Sequence, residues 1–339
     1  MKHLMRKETG IFGLLVLMCL VTSLKSPHFL SAENLQNTAR LIGLYGIFSI
    51  GAGMVIITGG IDLSVGSMFA LLGVILAMLL DPKESNWPKF LSFLNGSHFA
   101  WPLVILAIIG LGTLLGTFHG YLITRVKLQP FIVTLCGLLF YRGMARFVSD
   151  DNTKGFGDAK GFEILQKAAT GMVFGVPITF VLLVILSVVM WVVLHRTVYG
   201  RHLFAVGRNE EAARYSGINT RRIIASTYIL SGFLAGVAGI LIAFYTNSIS
   251  PSSHGNFYEL YGIAAAVLGG CSLRGGEGSI VGIVLGTILL QVLQNLVNLL
   301  GIPSSLSFAV MGAVILLGVL ADQLLTNRAK SARTKTSAA

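Results

Sequence analysis

Apolar runs long enough to cross, or nearly cross, a lipid hydrocarbon core of ~30 Å recur from one end of this chain to the other. They fall near 9–24, 40–58, 62–80, 100–122, 130–148, 177–195, 223–245, 258–270, 279–300 and 305–325. Composition agrees: 54% of the residues are hydrophobic and only 12% are charged, against roughly a quarter charged in a soluble domain. The expected fold class is all-α, a polytopic membrane helix bundle of about ten transmembrane helices with discontinuous, Gly-rich segments. Residues 1–339 are expected to form one transmembrane domain.

The formal charge of +11 does not indicate a nucleic-acid partner, because the basic residues sit in the connections between apolar runs rather than on a solvated domain. With the N-terminus in the cytoplasm, the cytoplasmic segments hold Lys2, Arg6, Lys7, Arg125, Lys127, Arg196, Arg201, Arg208, Arg214, Arg221, Arg222, Arg274, Arg328, Lys330, Arg333 and Lys335, sixteen of the 25 Lys and Arg. That bias obeys the positive-inside rule and places both termini in the cytoplasm. The basic tail, 327–339, is expected to be disordered or to lie along anionic membrane lipid. Met1 to Leu24 resembles a signal peptide only superficially. Thr22-Ser23-Leu24-Lys25 is a poor cleavage site, so retention as a first span is expected. Cys19, Cys136 and Cys271 lack disulfide or zinc spacing and read as reduced, buried, small apolar residues.

One apolar stretch is interrupted by chemistry. Ile56-Ile57-Thr58-Gly59-Gly60-Ile61-Asp62-Leu63-Ser64-Val65-Gly66-Ser67 sets glycines, hydroxyls and a carboxylate between two hydrophobic runs. A charge in a lipid-embedded segment costs roughly 2.5–3.5 kcal/mol, so Asp62 is expected to face protein or a water-filled path. Thr58, Gly59, Gly60, Asp62 and Ser64 are then candidates for a translocation pathway on broken backbone. The alternative is that Asp62 simply N-caps the following helix.

Between the sixth and seventh runs, Asn209 to Gly217 reads as a short helix with both ends marked. Asn209 suits an N-cap, Glu210 and Glu211 complement the positive end of the helix dipole, and Gly217 suits a left-handed C-terminal cap. Two turns of isolated helix are unstable in water, so it is expected to pack on this chain or on a partner. Glu211-Ala212-Ala213-x-x-x-Gly217 resembles the coupling segment of ABC-type importers. Thr58 to Ser67 is similar to the signature of the ribose, arabinose, xylose and autoinducer-2 branch of their permeases. Val267 to Ser279, with Gly269, Gly270, Ser272, Gly275, Gly276 and Gly278, resembles that branch's late glycine-rich motif. The likeness runs from about Leu35 to Asp322. After Gly217 the chain continues Ile218-Asn219-Thr220-Arg221-Arg222, without the Ile-x-Leu-Pro ending found in many sugar importers.

The resemblance implies a pore subunit that imports a monosaccharide such as ribose, beside a second permease copy or paralogue. ABC ATPase subunits would couple at Asn209, Glu210, Glu211, Ala212, Ala213 and Gly217, and a periplasmic sugar-binding protein would deliver substrate across the bacterial inner membrane. No cofactor is expected in this chain. ATP and Mg would sit on the partner ATPase, and the chain has no Gly-Lys dipeptide and hence no phosphate loop. His119, His195, His202 and His254 are scattered without a catalytic constellation.

Further patterns bear on the path. Gln291, Gln294, Asn295 and Asn298 share one face of a helix, and their amides can both donate to and accept from a passing polyol; the other reading is polar glue between helices. Gly112/Gly116/Gly120, Gly232/Gly236 and Gly282/Gly286 are spaced for close helix packing. Gly59-Gly60-Ile61-Asp62-Leu63-Ser64 and Gly269-Gly270-Cys271-Ser272-Leu273-Arg274 share a pattern at an offset of 269 − 59 = 210 positions, suggesting an internal repeat. Arg142 and Arg146 are expected to snorkel to the interface or to pair with Asp150. The rival to an ATP-driven importer is a proton-coupled secondary sugar transporter using Asp62.

Overall fold

The computed structural model describes residues 2–81, 87–89, 94, 100–157, 159, 161–303 and, beyond these, 306, 309, 310, 312, 313 and 316, with the backbone alone over residues 2–9. The described residues form α1 (Lys2–Lys25), α2 (Ala32–Ile57), α3 (Val65–Leu80), α4 (Trp101–Thr124), α5 (Pro130–Val148), α6 (Phe162–Thr170), α7 (Ile178–Arg196), α8 (Val198–Arg208), α9 (Glu210–Tyr215), α10 (Thr220–Thr246), α11 (Tyr258–Leu268) and α12 (Ile280–Leu299). Four two-residue strands make two small antiparallel pairs. Lys154–Gly155 pairs with Ser248–Ile249, and Met172–Val173 with Val176–Pro177.

Nine of the expected spans coincide with helices, namely α1 to α5, α7 and α10 to α12; the tenth, 305–325, lies almost entirely outside the described residues. Six of them, α2, α4, α5, α7, α10 and α12, are long and apolar enough to cross a membrane. The bundle is all-α, as the periodicity predicts.

Two spans are short. α3 has 16 residues and α11 has 11, about 24 and 16 Å at 1.5 Å per residue, both short of a ~30 Å core. Each follows an irregular segment, 58–64 and 250–257. A carboxylate lies beside each break, Asp62 ahead of α3 and Glu259 in the first turn of α11. The N-terminal ends of the two short helices meet. A Cβ on Gly66 would lie 2.1 Å from Glu259 Oε2 and 2.3 Å from the Gly255 carbonyl.

Helix ends follow from local chemistry. α2 begins at Ala32 because Ser31 caps it, its hydroxyl accepting from the Asn34 N–H at 3.3 Å. α2 ends at Gly59, which adopts φ +83°, and the Gly60 N–H returns to the Val55 carbonyl at 3.1 Å. α11 ends the same way, with Gly270 at φ +90° and the Cys271 N–H on the Ala266 carbonyl at 2.9 Å. This six-to-one closure with a left-handed glycine is the Schellman motif. It aligns Gly59 with Gly270, one residue away from the offset that the sequence pattern suggests.

Packing assigns the spaced glycines to close helix contact. α4 and α10 interlock through both of their motifs. A Cβ on Gly232 would lie 2.3 Å from the Gly112 carbonyl and 2.9 Å from Gly116 Cα, and one on Gly116 would lie 2.3 Å from the Tyr228 carbonyl. α11 and α12 repeat the device, with Gly282 against the Gly269 carbonyl and Gly286 against the Ala265 carbonyl. An aromatic group of Tyr45, Phe48, Phe69, Tyr258 and Tyr261, with ring centroids 4.9–6.3 Å apart, fills the space among α2, α3 and α11. α1 packs on α12 through Leu15, Leu289 and Val292, with Phe29 beside them.

Two further expectations are corrected. Of the cysteines only Cys271 is buried; Cys19 is intermediate and Cys136 exposed, because α5 presents much of its apolar surface to the outside of the bundle. Arg146 pairs with Asp151 rather than Asp150, Nε reaching Oδ1 at 2.9 Å, and this fork holds the exposed Asp151 carboxyl below its usual range. Arg142 turns inward instead of snorkelling, its Nη1 donating to the Pro251 and His254 carbonyls at 3.1 and 2.7 Å.

Candidate functional site

Asp62 sits in the break between α2 and α3 and is 3% exposed. Its Oδ1 accepts from the Ser64 N–H at 3.0 Å and the Ser64 hydroxyl at 2.6 Å, and its Oδ2 accepts from the Ser231 hydroxyl of α10 at 2.8 Å. The residue at the helix boundary is Ser64, so Asp62 does not N-cap α3 in the strict sense; it closes a turn two residues earlier and ties that turn to α10. Ser231 lies eleven positions into α10, about 16 Å along it and so near the middle of the span.

Other polar groups converge on the same break. The Ile61 carbonyl faces the Tyr228 hydroxyl of α10 at 3.4 Å and the Thr134 hydroxyl of α5 at 3.3 Å. His119 of α4 and Tyr141 of α5 share a 2.8 Å hydrogen bond through His119 Nε2. A Cβ on Gly137 would lie 2.7 Å from that nitrogen and 3.2 Å from Ser64 Cβ, so the pair abuts the break. His119 is 1% exposed, and its Nδ1 has no hydrogen-bond partner among the described residues. Glu259 reaches from α11 to the Gly66 N–H of α3.

The sequence reading singled out Asp62 and Ser64 but none of Tyr228, Ser231, Thr134, Tyr141 and Glu259. Glu259 carried a visible signal, a carboxylate at the edge of an apolar run. The others are hydroxyls on apolar helices, and only the packing of α4, α5 and α10 around the break brings them together.

On the α9 side of the break lies a cavity of about 870 Å³. Its lining comes from the break (Thr58, Gly59, Gly60), the α4–α5 connection, α9 and the first turns of α10 up to Tyr228. α9 itself spans Glu210–Tyr215, with the Asn209 side chain accepting from the Ala212 N–H at 2.9 Å and Gly217 at φ +83°. Ala213 is buried, and Glu210 Oε1 accepts from the Thr220 hydroxyl of α10 at 3.0 Å. The opposite face, with Glu211, Arg214 and Tyr215, is exposed.

The late glycine-rich motif reaches the same region. The Gly276 N–H donates to the Ile57 carbonyl at the end of α2, 2.8 Å away. A Cβ on Gly207 of α8 would lie 1.9 Å from that carbonyl, and one on Gly275 would lie 2.5 Å from the Gly207 carbonyl and 2.9 Å from the Gly59 nitrogen. Three segments therefore touch backbone to backbone: the last turn of α8, the end of α2 and the 269–278 loop. Within that loop Ser272 closes the turn, its carbonyl accepting from Gly275 and its hydroxyl from the Arg274 N–H, while Gly278 lies against Ile57.

The amides of α12 stand elsewhere. Asn295 forms a reciprocal pair with Asn34 of α2, at 2.7 and 3.2 Å, Gln291 is buried, Gln294 is half-buried and its Oε1 has no hydrogen-bond partner among the described residues, and Asn298 is exposed. The Asn34 pair is the arrangement expected of interhelical glue. Asn295→Ala is expected to lower the stability of the detergent-solubilised protein by about 0.6–1.7 kcal/mol, measured by thermal unfolding, with most of the loss already present in Asn34→Ala.

Comparison with known proteins shows the family. A family profile described as "Branched-chain amino acid transport system / permease component" matches residues 34–319. The chain is 37% identical over 320 residues to the ribose import permease protein RbsC of Bacillus subtilis (strain 168), covering 94% of this chain and 93% of that protein. It is 35% identical over 321 residues to RbsC of Escherichia coli (strain K12), covering 95% of each. Identity is 30% over 375 residues to the xylose transport system permease protein XylH of Escherichia coli (strain K12), covering 94% of this chain and 92% of that protein. No solved structure matches the chain.

Proposed function

Because this multi-pass membrane protein belongs to the branched-chain amino acid transport system / permease component family, we propose that it is the pore subunit of an ATP-driven, ABC-type importer of a monosaccharide, ribose or a close relative. The observation that carries the sugar is the 35–37% identity, over nearly the full length, to ribose import permeases. The family description also names amino acids. The cavity beside the break brings hydroxyls and amides together, groups that can donate to and accept from a polyol.

The chain makes and breaks no covalent bond. ATP and Mg are held by partner ATPase subunits in the cytoplasm, where both termini of this inner-membrane protein also lie. A second permease copy or paralogue completes the pore, and a periplasmic sugar-binding protein delivers the cargo. The exposed face of α9, with Glu211, Arg214 and Tyr215, is the ATPase-coupling surface, while its buried face is tied to α10 through Glu210 and Thr220. Movement of α9 reaches the α2–α3 break through two rigid links: α10, which carries Ser231 and Tyr228, and the backbone junction of Gly207, Ile57 and Gly276. Backbone contacts leave no side-chain slack.

The test is ribose uptake into vesicles containing the chain with its ATPase and binding protein. Uptake is expected to require ATP, to survive a proton uncoupler and to fall about tenfold or more in Glu211→Arg, with loss of ATPase association, because like charges brought together at an interface cost several kcal/mol. Uptake that follows the proton gradient and ignores the ATPase overturns the proposal.

A further inference from the structure

The cavity on the α9 side and the buried polar groups around Asp62 are separated by one side chain. Tyr228 lines the cavity yet is 0% exposed. Its ring closes on Gly60, where a Cβ would lie 2.4 Å from the Tyr228 hydroxyl, and that hydroxyl faces the Ile61 carbonyl next to Asp62. We propose that this cavity is the inner sugar site of the translocation path, built for one neutral polyhydroxylated solute, and that Tyr228 is the gate between it and the polar groups at mid-membrane. The inference rests on the importer reading above and assigns its path to α4, α5 and α10 rather than to the amide face of α12.

Four observations carry it. The volume, about 870 Å³, falls within the ~300–1,000 Å³ typical of small-molecule sites. Gln129 and the Asn219 amide nitrogen supply donors, while the Thr58 and Thr124 hydroxyls, whose protons go to the Val55 and Gly120 carbonyls, supply acceptors; Lys127, Arg214 and Arg221 are set against Glu210 and Glu211, so no single sign of charge dominates the lining. Beyond Tyr228, the buried Nδ1 of His119 has no partner among the described residues, a costly arrangement at this depth unless an open state brings water or a solute hydroxyl to it. Finally, the latch is weak. At 3.4 Å the Tyr228–Ile61 contact is well beyond the ~2.7–2.8 Å usual for O–H···O, so α10, moved through Thr220 and Glu210, carries the ring from Gly60 without breaking a strong hydrogen bond.

Thiol labelling of the assembled transporter in inside-out vesicles tests this, with Cys19, Cys136 and Cys271 first replaced by alanine. A membrane-impermeant methanethiosulfonate is expected to label Thr58→Cys. Ribose at four times its Kd should slow that labelling roughly fivefold, following 1 + [L]/Kd, while ribose 5-phosphate should not. Ser231→Cys, beyond the gate, is expected to stay unlabelled until Tyr228→Ala is added. Tyr228→Phe, which keeps the ring and removes only the latch, is the second variant and should raise the Ser231→Cys rate as well. In the chain with native cysteines, Tyr228→Ala should let preloaded ribose leave vesicles without ATP.

Thr58→Cys labelling that ribose does not slow overturns the site, including the case in which only ATPase binding protects it and the cavity is a docking surface. Ser231→Cys that labels equally with Tyr228 intact, or stays dark in both Tyr228 variants, overturns the gate. ATP-driven ribose uptake by the native complex is measured alongside. Its absence fails the importer reading, whereas uptake with an unprotected Thr58→Cys fails this inference alone.

Discussion

Gly232→Leu is expected to remove the folded protein from the membrane. At this position a side chain meets backbone on the facing helix, the Gly112 carbonyl at 2.3 Å and Gly116 Cα at 2.9 Å from Cβ alone, and neither can rotate aside. Ordinary overpacking of a core costs about 1–3 kcal/mol because neighbouring side chains give way; here α4 and α10 must separate along their length. That seam also positions Ser231 and Tyr228, so its opening takes the break around Asp62 with it. Membrane-inserted yield and a monodisperse profile in mild detergent are the measurements. Gly143→Ala is the control, since nothing lies within 4 Å of a Cβ there, and it is expected to be neutral or stabilising by up to about 1 kcal/mol. A Gly232→Leu chain that accumulates and melts like the native one would contradict the α4–α10 contact.

The sequence made the bundle legible because lipid imposes a strong, local rule. A stretch that must satisfy its own backbone and bury ~30 Å of apolar length is visible one helix at a time. The caps of α9 were legible for the same reason, as Asn209 and Gly217 act within a turn of themselves. What the sequence concealed was non-local. Tyr228 and Ser231 on α10, Thr134 and Tyr141 on α5 and His119 on α4 are far apart in the chain, and an isolated hydroxyl in an apolar helix gives no sign of which neighbour it will face. The shortness of α11 was already visible in the bounds 258–270, whereas that of α3 was hidden, because apolar character continues through Ile61 and Leu63 on either side of Asp62. The Asn34–Asn295 pair shows the limit of periodicity, which placed the amides on one face of α12 without saying which helix that face would meet.

Asp62 separates the two transport mechanisms through a pair of substitutions whose outcomes diverge. All three hydrogen bonds to its carboxylate come from donors, the Ser64 N–H and the Ser64 and Ser231 hydroxyls. Asp62→Leu leaves those groups facing an apolar side chain at a depth where each unmade bond costs about 1–3 kcal/mol, and uptake is expected to be lost. Asp62→Asn keeps the shape. Its carbonyl oxygen still accepts from Ser64, and its amide turns toward Ser231, whose hydroxyl can reverse and accept. ATP-driven uptake by the Asn variant is therefore expected to remain within about tenfold of native, the cost of roughly one weakened hydrogen bond. A residue that carried a coupling proton would give another pattern, because neither Asn nor Leu can bind and release one and both would be equally inactive. Measured in the same vesicles with and without an uncoupler, an Asn variant that works and a Leu variant that does not identify Asp62 as the fastener of the break, holding the N-terminus of α3 to α10 while the energy for movement enters from outside the chain.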